Sequence, residues 1–481
     1  MANQAFDGAR VLVAGLGVSG RAAVAALAAC GARVATYDDD PAAGADRHPG
    51  TPDAGDLSAV DLVVTSPGLP PHHPLLAAAT AQGVEVISEV EAAWRLRVDR
   101  AAGGGPAPWL AVTGTNGKTT TVSMLASILA ANGERVAAAG NVGAPLVTAA
   151  IDPSLDVLAV ELSSFQLHFT SGLSAQAAAV LNVAPDHLDW HGSLAAYAAD
   201  KGRIYRHAQV ACVYNAADET TRRLVEEADV ADGALAVGFT LGVPSVGQLG
   251  LVEDVLVDRG FAARRWTHAQ ELATLADLAR LAGPDGRVAP HVVANALAAA
   301  ALALAHGVPP TAVRDGLRAF APGAHRIVTV ATVGAVAYVD DSKATNAHAA
   351  AASLAAFDEG SVVWIAGGLA KGATFDDLVT ARADRLAGVV LIGVDRRPLA
   401  DALARHAPQV PVIQVAPNQT DDVMTCAVSA ARTLARAPGG AARRTVLLAP
   451  ACASMDQFAS YADRGDRFAA AVRRLAEGTP A

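Results

Sequence analysis

The run Gly114-Thr-Asn-Gly-Lys-Thr-Thr120 follows a short apolar stretch, Trp109–Thr113, and precedes a segment whose apolar residues Val122, Leu125, Ile128 and Leu129 share one helical face. A strand, a glycine loop and a helix N-terminus in that order make a phosphate cradle. Backbone N–H groups face the anion, Lys118 adds a point charge, and the Thr119 hydroxyl offers an oxygen to Mg2+. Gly114, Thr115, Asn116, Gly117 and Thr120 complete the loop. Its first glycine lies three residues before Gly117, where the standard P-loop has five, so the motif is a variant. A plain Gly- and Thr-rich strand-to-helix turn is the bland alternative, and the strand–loop–helix context disfavours it.

Glu161 closes the apolar stretch Leu155–Glu161, and His187 follows the stretch Ala177–Ala184. In open parallel sheets ligands bind beyond the carboxyl ends of the strands, so both residues should converge on the edge that carries Lys118. A carboxylate, an imidazole and a hydroxyl beside phosphate oxygens suit Mg2+. Taken singly, Glu161 reads as a strand-end ion pair and His187 as a loop histidine; the coincidence of the three argues for a site.

Gly15-x-Gly17-x-x-Gly20, with Asp38 some 23 residues beyond Gly15, fits a dinucleotide fingerprint and alone would suggest an NAD-dependent dehydrogenase. Further on, Asp340-Asp-Ser-Lys343-Ala-Thr345-Asn346, Gly367-Gly-Leu-Ala-Lys371-Gly and Ala449–Phe458 are polar runs that each follow an apolar strand. Lys343 and Lys371 could neutralise an anionic substrate there, although a solvated surface is the usual fate of a lysine.

The elements that must hold these residues are strands alternating with helices, which implies parallel sheets covered on both faces. The chain of 481 residues has room for two to four domains at about 150 residues each. Hydrophobic residues are 52% and charged residues 17%, enough apolar material for several cores. The net charge of −10 argues against a nucleic-acid binder, which needs a basic face. Four cysteines without metal spacing, no basic-then-apolar leader and no long apolar run point to a cytoplasmic protein that does not enter a membrane. The run Ala101–Pro108 reads as a linker, and 215–290, punctuated by Gly and Pro, predicts irregular or inserted structure. A third α/β segment opens near Pro322.

Together, GTNGKTT, ELSSFQL (161–167), NVAPDHLD (182–189), the segment around Asp200-Lys201-Gly-Arg203, His325-Arg326, DDSKATN (340–346) and PACASMDQF (450–458) resemble the Mur ligases, in one order across nearly the whole chain. ELSSFQL, DSKATN and the last block resemble the D-glutamate-adding branch, and ELSSFQL and the last block alone set it apart from the L-alanine-adding one. The resemblance implies an ATP-dependent, ADP-forming amide ligase that joins D-glutamate to UDP-N-acetylmuramoyl-L-alanine through an acyl phosphate, with two Mg2+ sites and no partner chain. It implies an α/β fold of three domains: a Rossmann-like domain at 1–104 binding the UDP substrate, a P-loop-type central ATPase domain with a parallel sheet at 105–321, and a Rossmann-like C-terminal domain at 322–481. Lys118, Thr119 and Glu161 would serve ATP and one Mg2+, His187 a second, and Lys201 would be carbamylated into a metal ligand. Asn295, Arg326 and Asp341 would contact ATP, and Asn141 the muramoyl group. Thr345, Lys371, Ser454 and Tyr461 would receive D-glutamate, and Val18, Ser19, Asp38, Asp39, Ser66 and Gly68 the UDP part. On this reading the glycine fingerprint cradles UDP and not NAD. Asp39 and Tyr461 stand where the family pattern has Thr and Phe.

Overall fold

The computed structural model describes residues 6–49, 51, 55–282, 286–321, 323, 325–370, 372–416, 423–437 and 444–477. Lys371 therefore lies outside the described residues. They form two compact units, Met1–Asp277 with Val293–Phe320, and Leu278–Val292 with Ala321–Ala481.

The first unit holds two sheets. Strands β1 (Arg10–Ala14), β2 (Arg33–Tyr37), β3 (Leu62–Thr65) and β4 (Glu85–Ser88) pair in parallel in the order β2-β1-β3-β4. Val11, Val13, Leu62 and Val64 enter one core with Leu27, while Leu12, Ala14 and Val63 enter a second with Leu75 and Leu76. Alternate residues of one strand thus bury on opposite faces, which explains why these strands read as unbroken apolar runs. Gly103, Gly104 and Gly105 all have positive φ, and Arg100 curls over them to donate to the Gly104 and Gly105 carbonyls. The expected linker is a closed turn.

The second sheet of this unit has nine strands: β5 (Trp109–Thr113), β6 (Val136–Gly140), β7 (Val157–Glu161), β8 (Ala177–Val180), β9 (Ala211–Asn215), β10 (Leu235–Phe239), β11 (Gln248–Val252), β12 (Val255–Asp258) and β13 (Gln270–Thr274). The order is β13-β12-β11-β10-β9-β8-β5-β7-β6. β6 to β11 pair in parallel, and β12 and β13 close the edge antiparallel. The expectation of irregular structure over 215–290 is corrected here: the glycines and prolines are turns between strands of four or five residues, too short to show a period. The helix Lys118–Ala131 is pinned at its far end. Ser127 donates to the Gly316 carbonyl at 2.7 Å, and a Cβ on Gly316 would lie 2.3 Å from the Ile128 Cα.

In the second unit, β14 (Val328–Val333), β15 (Val336–Asp340), β16 (Val362–Gly367), β17 (Leu386–Ile392), β18 (Val412–Gln414) and β19 (Arg444–Leu448) form a six-stranded sheet, β14-β15-β19-β16-β17-β18, parallel except for the edge strand β14. Trp364, Leu391 and Leu447 fill one face and Val363, Ile365 and Leu448 the other. None of the helices among the described residues is long and apolar enough to cross a membrane.

Glu89 opens the helix Glu89–Leu96 and is 2% exposed. One carboxyl oxygen accepts from the Val147 N–H at 2.8 Å, and the other is buried without a partner. Burial pushes this carboxyl up to about 7, against the Val147 and Leu146 N–H groups. The unfolded chain therefore binds fewer protons than the folded one between the ordinary glutamate range and about 7, so stability falls as pH rises through that window and stays low above it. Glu89→Gln keeps an acceptor for Val147 and cannot ionise. Chemical denaturation should find it more stable than the parent at pH 8, by on the order of 1–3 kcal/mol, with the gain gone near pH 4; equal stability at both values would refute the assignment.

Candidate functional site

The phosphate-type loop is built by its neighbours. Gly114 has φ 151° and Gly117 φ 83°, backbone that β-carbon-bearing residues rarely adopt. Asn182, beyond the end of β8, accepts from the Thr115 N–H through its carbonyl (3.0 Å) and from the Asn116 N–H through its side chain (2.9 Å), and its amide donates back to the Asn116 carbonyl. Thr115 Oγ1 donates to the Ala184 carbonyl and meets the Tyr197 hydroxyl at 3.1 Å. The helix then starts at Lys118, with Gly117 as its cap, so its first-turn N–H groups, Thr119 and Thr120 included, face the loop.

Two lysine amines meet at one oxygen. Lys118 Nζ donates to the Gly114 carbonyl at 2.8 Å and to the Thr115 carbonyl at 2.9 Å. Lys201, 1% exposed on the helix Leu194–Gly202, donates to the same Gly114 carbonyl at 3.0 Å and lies 4.3 Å from the centre of the Tyr197 ring. Burial drives the Lys201 amine well below the usual lysine range, and the Lys118 charge adds to that, against Asp186, Asp200 and Glu161.

Glu161 ends β7, in register with Val112 of β5 and Gly140 of β6. It is 1% exposed; Asn141 Nδ2 donates to one oxygen at 2.9 Å, and the other is buried with no partner. An anionic oxygen in that state is costly unless a cation or donor arrives. That orphaned oxygen, close enough to Lys201 to act on its charge, fits a divalent metal. Among the described residues no group of three or more His, Cys, Asp or Glu forms a metal cage; Mg2+ shared with phosphate oxygens needs none.

His187 adopts φ 53° before the short helix Leu188–His191, with its ring edge-on to Phe165 at 4.8 Å. Behind it lies a cluster that sequence reasoning missed. Asp200 accepts from His168 (2.9 Å) and His191 (3.0 Å) and pairs with Arg203, and His191 also meets the Ser164 hydroxyl at 3.0 Å. Burial would raise the Asp200 carboxyl, but the His168 and His191 hydrogen bonds and the Arg203 charge hold it at about 2. The signal available was His191 one helical turn after His187, in a segment read only for its first histidine. Asn295, 7% exposed, comes so close to the loop that a Cβ on Gly117 would lie 2.4 Å from its Oδ1. The structure thus gathers the loop 114–120, Asn141, Glu161, Lys201 and Asn295, with His187 on the neighbouring strand end.

The sheet of β1 to β4 gathers a second group at its carboxyl ends. A Cβ on Gly15 would sit 2.1 Å from Ser66 Oγ, and the Leu16 N–H donates to Asp38 at 2.6 Å. Val18 and Ser19 open the helix Val18–Ala29, with Val18 77% exposed, and Gly68 follows Ser66. Asp39 accepts from the Tyr37 hydroxyl (3.0 Å) and meets His73 at 3.1 Å.

In the second unit Asp341 and Arg326 flank the end of β15. Asp341 is buried, with its carboxyl pushed up to about 7 by desolvation against Ser353, whose hydroxyl it accepts, and Arg326. Thr345 and Ser454 lie on the loops after β15 and β19. Tyr461 starts the helix Tyr461–Ala476, its ring 3.9 Å from Lys343 Nζ.

The chain matches two family models, the Mur ligase middle domain over residues 112–303 and the Mur ligase MurD-like N-terminal domain over residues 9–88. It is 57% identical to the UDP-N-acetylmuramoylalanine–D-glutamate ligase of Streptomyces avermitilis, over 98% of this chain and 99% of that protein. Its identity to the enzyme of the same name from Streptomyces coelicolor is also 57%, with the same coverage of each. Its fold is similar to the crystal structure of a UDP-N-acetylmuramate–alanine ligase from Thermotoga maritima, with TM-score 0.55 and 17% identity over 98% of this chain and 99% of the other.

The crowding at Gly117 gives a direct test of the loop. Gly117→Ala adds strain of about 1–2 kcal/mol at a left-handed residue and drives a methyl group into Asn295. Calorimetric titration should show ATP affinity reduced by on the order of tenfold, with the thermal unfolding midpoint lowered by only a few degrees. Parental affinity in the variant would disprove a phosphate cradle here.

Proposed function

The chain belongs to the Mur ligases, in the branch of the UDP-N-acetylmuramoylalanine–D-glutamate ligases, and from that premise we propose that it uses ATP to join D-glutamate to UDP-N-acetylmuramoyl-L-alanine, a step of peptidoglycan precursor synthesis. The observation that supports this site for the chemistry is the convergence of Lys118, Lys201 and Glu161 at the ends of β5 and β7. Free carboxylates do not acylate amines, because oxide is a very poor leaving group. The L-alanyl carboxylate oxygen therefore attacks the γ-phosphorus, an O–P bond forms, the bond to the bridging oxygen breaks, and ADP leaves. The amine of D-glutamate then attacks the acyl carbon, the tetrahedral adduct expels inorganic phosphate, and the new amide nitrogen sheds a proton.

Two anions must approach for the first transfer, so this chain must supply positive charge. In this reading Lys118 swings from the Gly114 and Thr115 carbonyls to the phosphates, the first-turn N–H groups hold their oxygens, and Arg326 and Asp341 bind the nucleotide with Asn295. Thr119, Glu161, His187 and a carbamate on Lys201 would hold Mg2+, which when bound offsets phosphate charge and polarises the γ-phosphoryl group. The buried Lys201 amine supports the carbamate. A neutral amine has the lone pair that adds to carbon dioxide and loses a proton, turning a costly buried cation into a carboxylate-like ligand. Asn141 orients Glu161 and would meet the muramoyl end. Val18, Ser19, Asp38, Asp39, Ser66 and Gly68 would cradle UDP, and Thr345, Lys371, Ser454 and Tyr461 D-glutamate. The working division is 1–104, 105–321 and 322–481, in a cytoplasmic monomer.

Phosphate release from ATP with UDP-N-acetylmuramoyl-L-alanine should require D-glutamate; equal rates with L-glutamate or L-alanine would reject the assignment. Lys118→Ala should lower kcat by on the order of a thousandfold while nucleotide affinity changes far less, and near-parental turnover would remove Lys118 from the chemistry. With 13C-labelled bicarbonate, a carbamate carbon resonance should be present in the parent and absent in Lys201→Arg. Identical spectra would argue against modification.

A further inference from the structure

In the second unit one buried cation ties together the loops expected to receive the amino acid. Arg464, in the first turn of the helix Tyr461–Ala476, is 0% exposed. Its Nε donates to Ser342 Oγ (3.0 Å), its Nη2 to the Ser342 carbonyl (2.9 Å) and its Nη1 to the Cys452 carbonyl (3.1 Å). Ser342 Oγ in turn donates to the Tyr461 carbonyl at 2.7 Å. The fork therefore joins three segments: the loop after β15 that carries Lys343 and Thr345, the loop after β19 that carries Ser454, and the helix start that carries Tyr461.

Among the described residues no carboxylate lies within ion-pair distance of Arg464, so a full guanidinium charge is buried against neutral acceptors. That arrangement costs stability compared with an apolar residue of the same size. A purely structural clamp would not need the charge. An anion arriving at Thr345, Ser454 and Tyr461 would find loops in fixed register and, behind them, a buried positive charge that Asp456 and Asp340 offset only from beyond ion-pair distance. The far side of the helix start is fixed separately: His325 meets Asp340 at 2.7 Å, and a Cβ on Gly465 would lie 2.1 Å from His325 Nδ1. Arg464 thus serves the amino-acid side of this unit more than the side with Arg326 and Asp341.

We propose that Arg464 is a positioning residue for the dicarboxylic amino-acid substrate, holding the Ser342, Cys452 and Tyr461 segments in register and lending its charge to the substrate carboxylates. This rests on the reading that the chain adds D-glutamate. Steady-state rates on the full chain test both. Arg464→Gln and Arg464→Lys should each raise the KM for D-glutamate about tenfold or more, with the KM for ATP within about twofold, because neither side chain reproduces the three-point fork. Ser342→Ala, which leaves the guanidinium in place but removes its Nε acceptor and the link to Tyr461, should raise the same KM about threefold or more and carries the decision if the Arg464 variants do not fold. Variants with lowered thermal midpoints but parental KM for D-glutamate would make Arg464 merely structural and overturn the proposal while the activity stands. A parent enzyme indifferent to D-glutamate would overturn both.

Discussion

The Gly114 carbonyl accepts from two lysine amines, those of Lys118 and Lys201, at 2.8 and 3.0 Å, in a place where water is largely excluded. Two full positive charges sharing one acceptor oxygen would repel strongly at any interior dielectric. The arrangement is stable because one amine is driven towards neutrality by burial. A triphosphate would relieve the strain on the other. Much of the first unit serves this constraint. Tyr197 and Thr115 wall the amines in, Asn182 fixes the loop backbone, and the positive φ of Gly114 and Gly117 lets the chain turn tightly enough to point its carbonyl at both.

Sheet order explains how distant segments supply the groups. β5 lies between β8 and β7, and β7 between β5 and β6, so the segments that follow four parallel strands end side by side. Lys118, the Asn182–His187 loop and Asn141 each follow one of these strands, and Glu161 ends the fourth. A strand that ended one residue earlier or later would turn its terminal side chain to the opposite face. Glu161, in register with Val112 and Gly140, depends on that parity.

Much of this was legible in the residues alone. The runs at β1, β3, β5, β7, β8, β16 and β19 are almost continuously apolar and announce themselves whatever their length, and Gly-rich loops before helices mark phosphate cradles without a template. β10 to β13 were not legible, because strands of four or five residues bearing Asp, Glu and Gly carry too little pattern, and β14, half exposed on a sheet edge, is equally weak. Tertiary burial of polar groups was also hidden. Nothing local distinguishes Glu89, Asp200 or Arg464 from surface charges; only the fold removes water from them. Asn182 stood inside a recognised block and His191 two residues beyond it, and both were passed over because their work is to hold other residues and not to meet a ligand.

The contact of Gly316 with Ile128 bears on how heritable change can reach the reaction. Ile128 lies ten residues beyond Lys118 on one helix, roughly 15 Å away at helical rise. The absence of a single side chain at position 316 sets how deeply that helix seats. Sequence drift at a remote, chemically inert glycine is thereby converted into displacement of an ammonium group. Loss of activity mapped to this position in a genetic screen would register as a fault of leverage, in a protein whose reactive groups are all intact.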